Sequence, residues 1–66
     1  MEIKNQLLNL RKEKGLTQKQ VADLLKMSAT GYASWEQGLA EPSLGAVKKL
    51  CEIYGVSADY LLGREE

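Results

Sequence analysis

The chain has 66 residues, 44% of them apolar and 27% charged, with one Pro, one Cys, no His and a formal net charge of zero. That length holds one small domain, too apolar to be disordered and too broken by charges to span a membrane. The lone Cys51 excludes an internal disulfide, and without histidine or a second cysteine no metal site is expected. The charge is unevenly spread, residues 1–26 carrying a net +3 and the remainder −3, so that one face tolerates a polyanion and another repels it.

From Ile3 to Lys14, Ile3, Leu7 and Leu10 fall at helical spacing with Leu8 beside them and charges opposite, and Gly15 stands where a left-handed helix end belongs. Glu2 and the absence of a continuous apolar run in this segment argue against a signal peptide, so a cytoplasmic protein is expected. Thr17-Gln18-Lys19-Gln20 reads as a capping box that starts a second helix, with Val21, Ala22 and Leu25 inward and Leu24 to one side. Ser28 caps a third helix over Ala29 to Gln37, with Tyr32 and Trp35 on its inner face and Ala29, Thr30, Ala33 and Ser34 outside.

After Gly38, the segment Leu39 to Pro42 is a loop, and Ser43 caps a fourth helix whose apolar stripe is Leu44, Val47, Leu50, Cys51 and Tyr54. Gly55 ends it, Val56 is expected as a buried plug, and Ser57 caps a last short helix containing Leu61 and Leu62. Residues 64–66 read as a frayed tail. The pattern contains no strand, repeat or second domain, which makes the expected fold all-α: one domain over residues 1–66, built of five short helices.

Two short helices over about residues 17–37, joined by a tight turn and held by helices before and after, form a helix-turn-helix plan. The run LRKEKGLTQKQVADLLKMSATGYASWEQG, followed by EPSLGAVKKLCEIYGVSADYLLG, resembles the lambda-repressor-like and Cro-like helix-turn-helix domains (XRE family) of bacterial and phage regulators. The separate pieces Leu10-Arg11, Gly15-Leu16-Thr17-Gln18, Val21-Ala22, Trp35-Glu36-Gln37-Gly38, Pro42-Ser43-Leu44 and Gly55-Val56-Ser57 occur in register. The resemblance implies that Gln18 meets a DNA phosphate, that Ala29, Thr30, Ala33 and Ser34 face base edges, and that Arg11 and Glu36 form an internal ion pair. A guanidinium suits that last role because it holds a carboxylate by two parallel hydrogen bonds.

The sequence departs from the family pattern at three places. Lys26 stands in the turn where members commonly carry glycine. The outer face of helix 3 lacks the Arg, Lys, Asn or Gln that discriminate purines by paired hydrogen bonds. Leu39-Ala40-Glu41 replaces a loop that is often basic. The further phosphate candidates are Lys14, Lys19, Lys26 and the Tyr32 hydroxyl, and Tyr60 and Leu62 are candidate dimer contacts.

No nucleophile elbow, phosphate-cradling glycine loop or pair of acids at catalytic spacing is present, so no catalytic residue, cofactor or small-molecule ligand is expected, and the chain reads as no enzyme. The expected function is a transcriptional regulator, a repressor, binding a two-fold symmetric site in double-stranded DNA as a homodimer with helix 3 in the major groove. The competing expectation is a protein-interaction module of the same fold, an antitoxin or a cofactor of another regulator, with Leu24, Leu39, Tyr60 and Leu62 as its adhesive surface.

Overall fold

The helix boundaries follow from hydroxyl caps and left-handed ends. The computed structural model describes residues 3–63 and contains α1 (Ile3–Glu13), α2 (Gln18–Leu24), α3 (Ala29–Gln37), α4 (Leu44–Tyr54) and α5 (Ala58–Leu61). Among the described residues there is no strand, and no helix is long and apolar enough to cross a membrane. The expected tail at 64–66 lies outside the described residues.

Thr17, Ser28, Ser43 and Ser57 each accept a hydrogen bond from the backbone amide three residues on, those of Gln20, Gly31, Ala46 and Tyr60. The Thr17 cap is reciprocal, since the Gln20 side chain accepts from the Thr17 amide at 2.8 Å. Each such cap is worth about 1 kcal/mol, a large share of the stability of so short a helix. Gly38 and Gly55 close α3 and α4 in the left-handed region, at φ 79° and 68°.

The core consists of one cluster. Leu7 from α1, Val21 from α2, Tyr32 from α3, Leu50 from α4 and Leu61 from α5 have no exposed surface, and Ile3, Leu10, Ala22, Leu25, Val47 and Tyr54 complete it. Burying each large side chain contributes about 1.5–3 kcal/mol. α1 lies against both α3 and α5, α2 packs on α3, and α4 packs on α5. α1 and α2 thus hold the inner side of α3, while Ala29 and Thr30 on its outer side stay exposed.

Three expectations need correction. Leu44 is not on the buried stripe of α4 but is 81% exposed. As the first residue of α4 its side chain leans toward the helix N-terminus, past the end of the neighbours that would cover it. Val56 is half-buried rather than a plug. Leu62 caps α5 instead of lying within it, because the helix stops at Leu61.

Candidate nucleic-acid interface

The turn after α2 holds a residue in a conformation that chemistry disfavours. Lys26 has φ 58°, the only positive φ outside glycine among the described residues. A side chain in this region crowds the following carbonyl and costs about 1–2 kcal/mol. The turn holds because the Met27 amide bonds to the Ala22 carbonyl at 2.9 Å and the Lys26 amide to Asp23 at 3.1 Å. Lys26→Gly is expected to raise the melting midpoint by a few degrees, the relief of strain exceeding the smaller entropic cost of glycine, about 0.5–1 kcal/mol. A calorimetric scan checks the sign, and a lower midpoint would contradict strain at this turn.

From that turn α3 presents two unlike sides. On the inner side Tyr32 is fully buried, and its ring meets Trp35 edge to face at a centroid distance of 5.9 Å. Trp35 sits at the rim of the core rather than inside it, half-buried between two shallow clefts. On the outer side Ala29 and Thr30 are exposed, and Ala33 and Ser34 are half-buried. The Ser34 hydroxyl donates to the Gly31 carbonyl at 2.6 Å. With its proton spent inside the helix, Ser34 has only lone pairs to offer an outside partner.

The flanking cations Lys14, Lys19 and Lys26 are all exposed. Lys19 lies 3.2 Å from Asp23 one turn on, with both side chains mostly in solvent, so this pair is weak and yields readily to a stronger anion. Tyr32 does not belong with them. Its hydroxyl is inside the core, 2.8 Å from that of Tyr54, so it cannot touch a phosphate. The inner stripe that buries the ring takes the hydroxyl in with it, and burial followed by the Tyr54 bond drives the phenol pKa far above its ordinary value.

Beneath this surface lies an ionic cluster. Arg11 donates from Nε to Glu36 Oε2 at 2.7 Å and from Nη2 to Oε1 at 3.0 Å, a two-pronged grip that fixes the plane of the carboxylate. Its third arm, Nη1, donates to the Leu16 carbonyl at 3.0 Å and so secures the loop between α1 and α2. The Glu36 side chain is 4% exposed and that of Arg11 14%. Burial opposes the charge on Glu36, but bonds from Arg11, Gln18 and the Tyr32 hydroxyl outweigh it and hold the pKa below the ordinary carboxylate value. The role of Gln18 here was not readable from the sequence: its Nε2 donates to Glu36 Oε1 at 3.0 Å. Spacing gives no signal for a bond across eighteen residues. Nor was the Tyr32–Tyr54 hydroxyl pair readable, although both residues fall on buried stripes.

The remaining candidates stand apart. Tyr60 and Leu62 are half-buried against the core at the α5 end, and the Tyr60 carbonyl accepts from Gln6 at 3.2 Å. Cys51 is half-buried and its thiol pKa is raised by burial, which suits an inert packed residue. Among the described residues no group of acids, cysteines or histidines is arranged to hold a metal.

Residues 7–61, most of the chain, match the family model described as Helix-turn-helix. The chain belongs to the helix-turn-helix family. It is 45% identical over 56 residues to the SPbeta prophage-derived uncharacterized HTH-type transcriptional regulator YonR of Bacillus subtilis (strain 168), covering 85% of this chain and 52% of that protein. It is 39% identical over 62 residues to the HTH-type transcriptional regulator AnsR of the same organism, covering 94% and 53%. It is 38% identical over 64 residues to the cryptic phage CTXphi transcriptional repressor RstR of Vibrio cholerae serotype O1, covering 97% and 57%. The chain thus spans about half the length of these curated relatives. No solved structure matches it at a significant level. In this helix-turn-helix domain α2 and α3 are the motif, and the Arg11–Glu36 pair fastens the end of α3 to α1.

Proposed function

We propose that this helix-turn-helix domain binds double-stranded DNA in a transcriptional regulator of the repressor kind, as a homodimer on a two-fold symmetric site with α3 in the major groove. The observation that carries the reading is α3 itself, docked by its inner face while Ala29 and Thr30 stand in solvent, as do Lys19 and Lys26. The relatives named as regulators support the same reading. Half-sites lie about 10 bp apart in such an arrangement. Ala29, Ala33 and the Thr30 methyl meet thymine methyl groups, the Thr30 and Ser34 oxygens meet polar base edges, and Gln18, Lys14, Lys19 and Lys26 meet phosphates. Tyr60 and Leu62 are the dimer contacts in this reading.

Selection of bound sequences from a random duplex library tests it, and recovery of no enriched motif would overturn it. On the enriched duplex, Thr30→Ala and Ser34→Ala are expected to weaken binding more than on random DNA, whereas Lys19→Ala weakens both alike. With Lys14, Lys19 and Lys26 of both protomers on phosphates, about six cationic contacts per dimer, log K falls with log salt at a slope of about −5 to −6, and a much steeper slope would reveal additional contacts.

A second reading rests on Leu24, Leu39 and Leu44, which are 58%, 78% and 81% exposed. Three exposed leucines on so small a domain, with Glu41 in the loop after α3, fit a module that docks on another protein. Failure to bind duplex at low salt, together with a stable heteromer at measured mass, favours that reading.

A further inference from the structure

Resting on the DNA-binding reading, we infer that Glu36 is a positioning residue for DNA: it turns the Gln18 amide so that one N–H is spent on the carboxylate and the other meets a backbone phosphate. Gln18 opens α2, half-buried, with exposed Thr17 and Lys19 on either side of it. Its Nε2 lies 3.0 Å from Glu36 Oε1.

The chemistry of the amide makes this contact decisive. A glutamine end has a donor side and an acceptor side of nearly the same shape. A carboxylate only accepts, so the nitrogen faces Glu36, and that nitrogen carries a second N–H. A phosphate oxygen also only accepts. An unheld glutamine spends part of its time offering its own oxygen, which repels the phosphate, whereas Glu36 removes that orientation in advance. Ordering the side chain before binding also lowers the entropy lost on binding.

A carboxylate beside a phosphate path would ordinarily oppose the ligand. Here Arg11 cancels its charge through two bonds at 2.7 and 3.0 Å. The Tyr32 hydroxyl, held 2.8 Å from the Tyr54 hydroxyl of α4, also favours the ionised form of the carboxylate. One line of hydrogen bonds therefore runs from Arg11 of α1 through Glu36 of α3 to the first residue of α2. The same Glu36 that anchors the end of α3 sets the phosphate donor, so the depth of α3 in the groove and its register on the DNA backbone are coupled.

The experiment uses the selected duplex with single phosphates replaced in turn by uncharged methylphosphonates. For the wild type, replacement at one phosphate in each half-site lowers affinity about fivefold to tenfold through loss of the Gln18 bond. Gln18→Ala abolishes the penalty at that phosphate and leaves the others. The double variant Arg11→Met with Glu36→Leu exchanges the buried pair for apolar groups of similar volume, a change that such folds often tolerate. It is expected to reduce the penalty at the same phosphate to less than about twofold while the Lys19 phosphate keeps its own. Retention of the full penalty in a folded double variant overturns the inference. If the double variant does not fold, the two side-chain amide protons of Gln18 in the wild type decide by NMR. DNA should move one and leave the carboxylate-bound one in place, and movement of both or neither in a formed complex overturns the inference. If the wild type binds no duplex at low salt, the DNA-binding reading fails, and that outcome is distinct.

Discussion

Arg11→Ala is expected to lower the melting midpoint by about 15 °C or more, a change large enough to leave much of the protein unfolded at 37 °C. The reason lies in what the substitution leaves behind. Removing one member of a buried ion pair strands the other, at a cost of about 3–5 kcal/mol. Glu36, with a side chain 4% exposed, would be left largely out of water without its cation. The Leu16 carbonyl loses its Nη1 donor at the same time. A domain of this length has only about 3–10 kcal/mol to lose. Arg11→Lys should recover little, because a single ammonium cannot grip both carboxylate oxygens and the Leu16 carbonyl together. Thermal unfolding followed by far-ultraviolet circular dichroism checks both, and an unchanged midpoint for Arg11→Ala would remove the pair from any structural role.

The same pair fixes a pH dependence with a definite sign. The folded-state pKa of Glu36 is lowered, so its contribution is complete above the unfolded carboxylate value and is lost as pH falls through the folded value. The stability gap between wild type and Glu36→Gln should therefore narrow on acidification below about pH 4. A gap that widens in acid would mean that burial, which raises this pKa, dominates the folded state.

How much of this was legible depends on distance along the chain. The caps at Thr17, Ser28, Ser43 and Ser57 and the left-handed ends at Gly38 and Gly55 were readable because each is decided within four residues. The buried stripes of Ile3, Leu7, Leu10 and of Val47, Leu50, Tyr54 were readable from period alone. Leu44 fits the same period and is nevertheless exposed, since period says which side a residue is on and not whether a neighbour reaches it at the helix end. Tyr32 failed differently. Its place on the inner stripe is legible from period, but a hydroxyl on a side chain with no exposed surface is out of reach of a phosphate. The bond from Gln18 to Glu36 depends on how α2 crosses α3, which no local pattern encodes.

Thr30→Glu should abolish DNA binding, by about a hundredfold or more in affinity, while leaving the fold as stable as before or more so. The two effects have opposite signs for reasons both found at the start of α3. Ser28 is the cap and Thr30 the second helical residue, exposed and with its side chain free of the core. A carboxylate in the first turn of a helix meets the unpaired amides and the positive end of the helix dipole, which contributes about 0.3–1 kcal/mol to stability. That same carboxylate, carried into a groove lined by phosphates, meets a dense array of like charge and displaces the one hydroxyl of this face whose donation is not committed inside the helix, since that of Ser34 is bound to Gly31. A melting curve and a titration with the selected duplex at low salt read the two effects separately. Loss of binding with a retained or raised midpoint places the α3 outer face against DNA. Full retention of binding would take that face out of the interface and leave the exposed leucines, with a protein partner, as the better account of this domain.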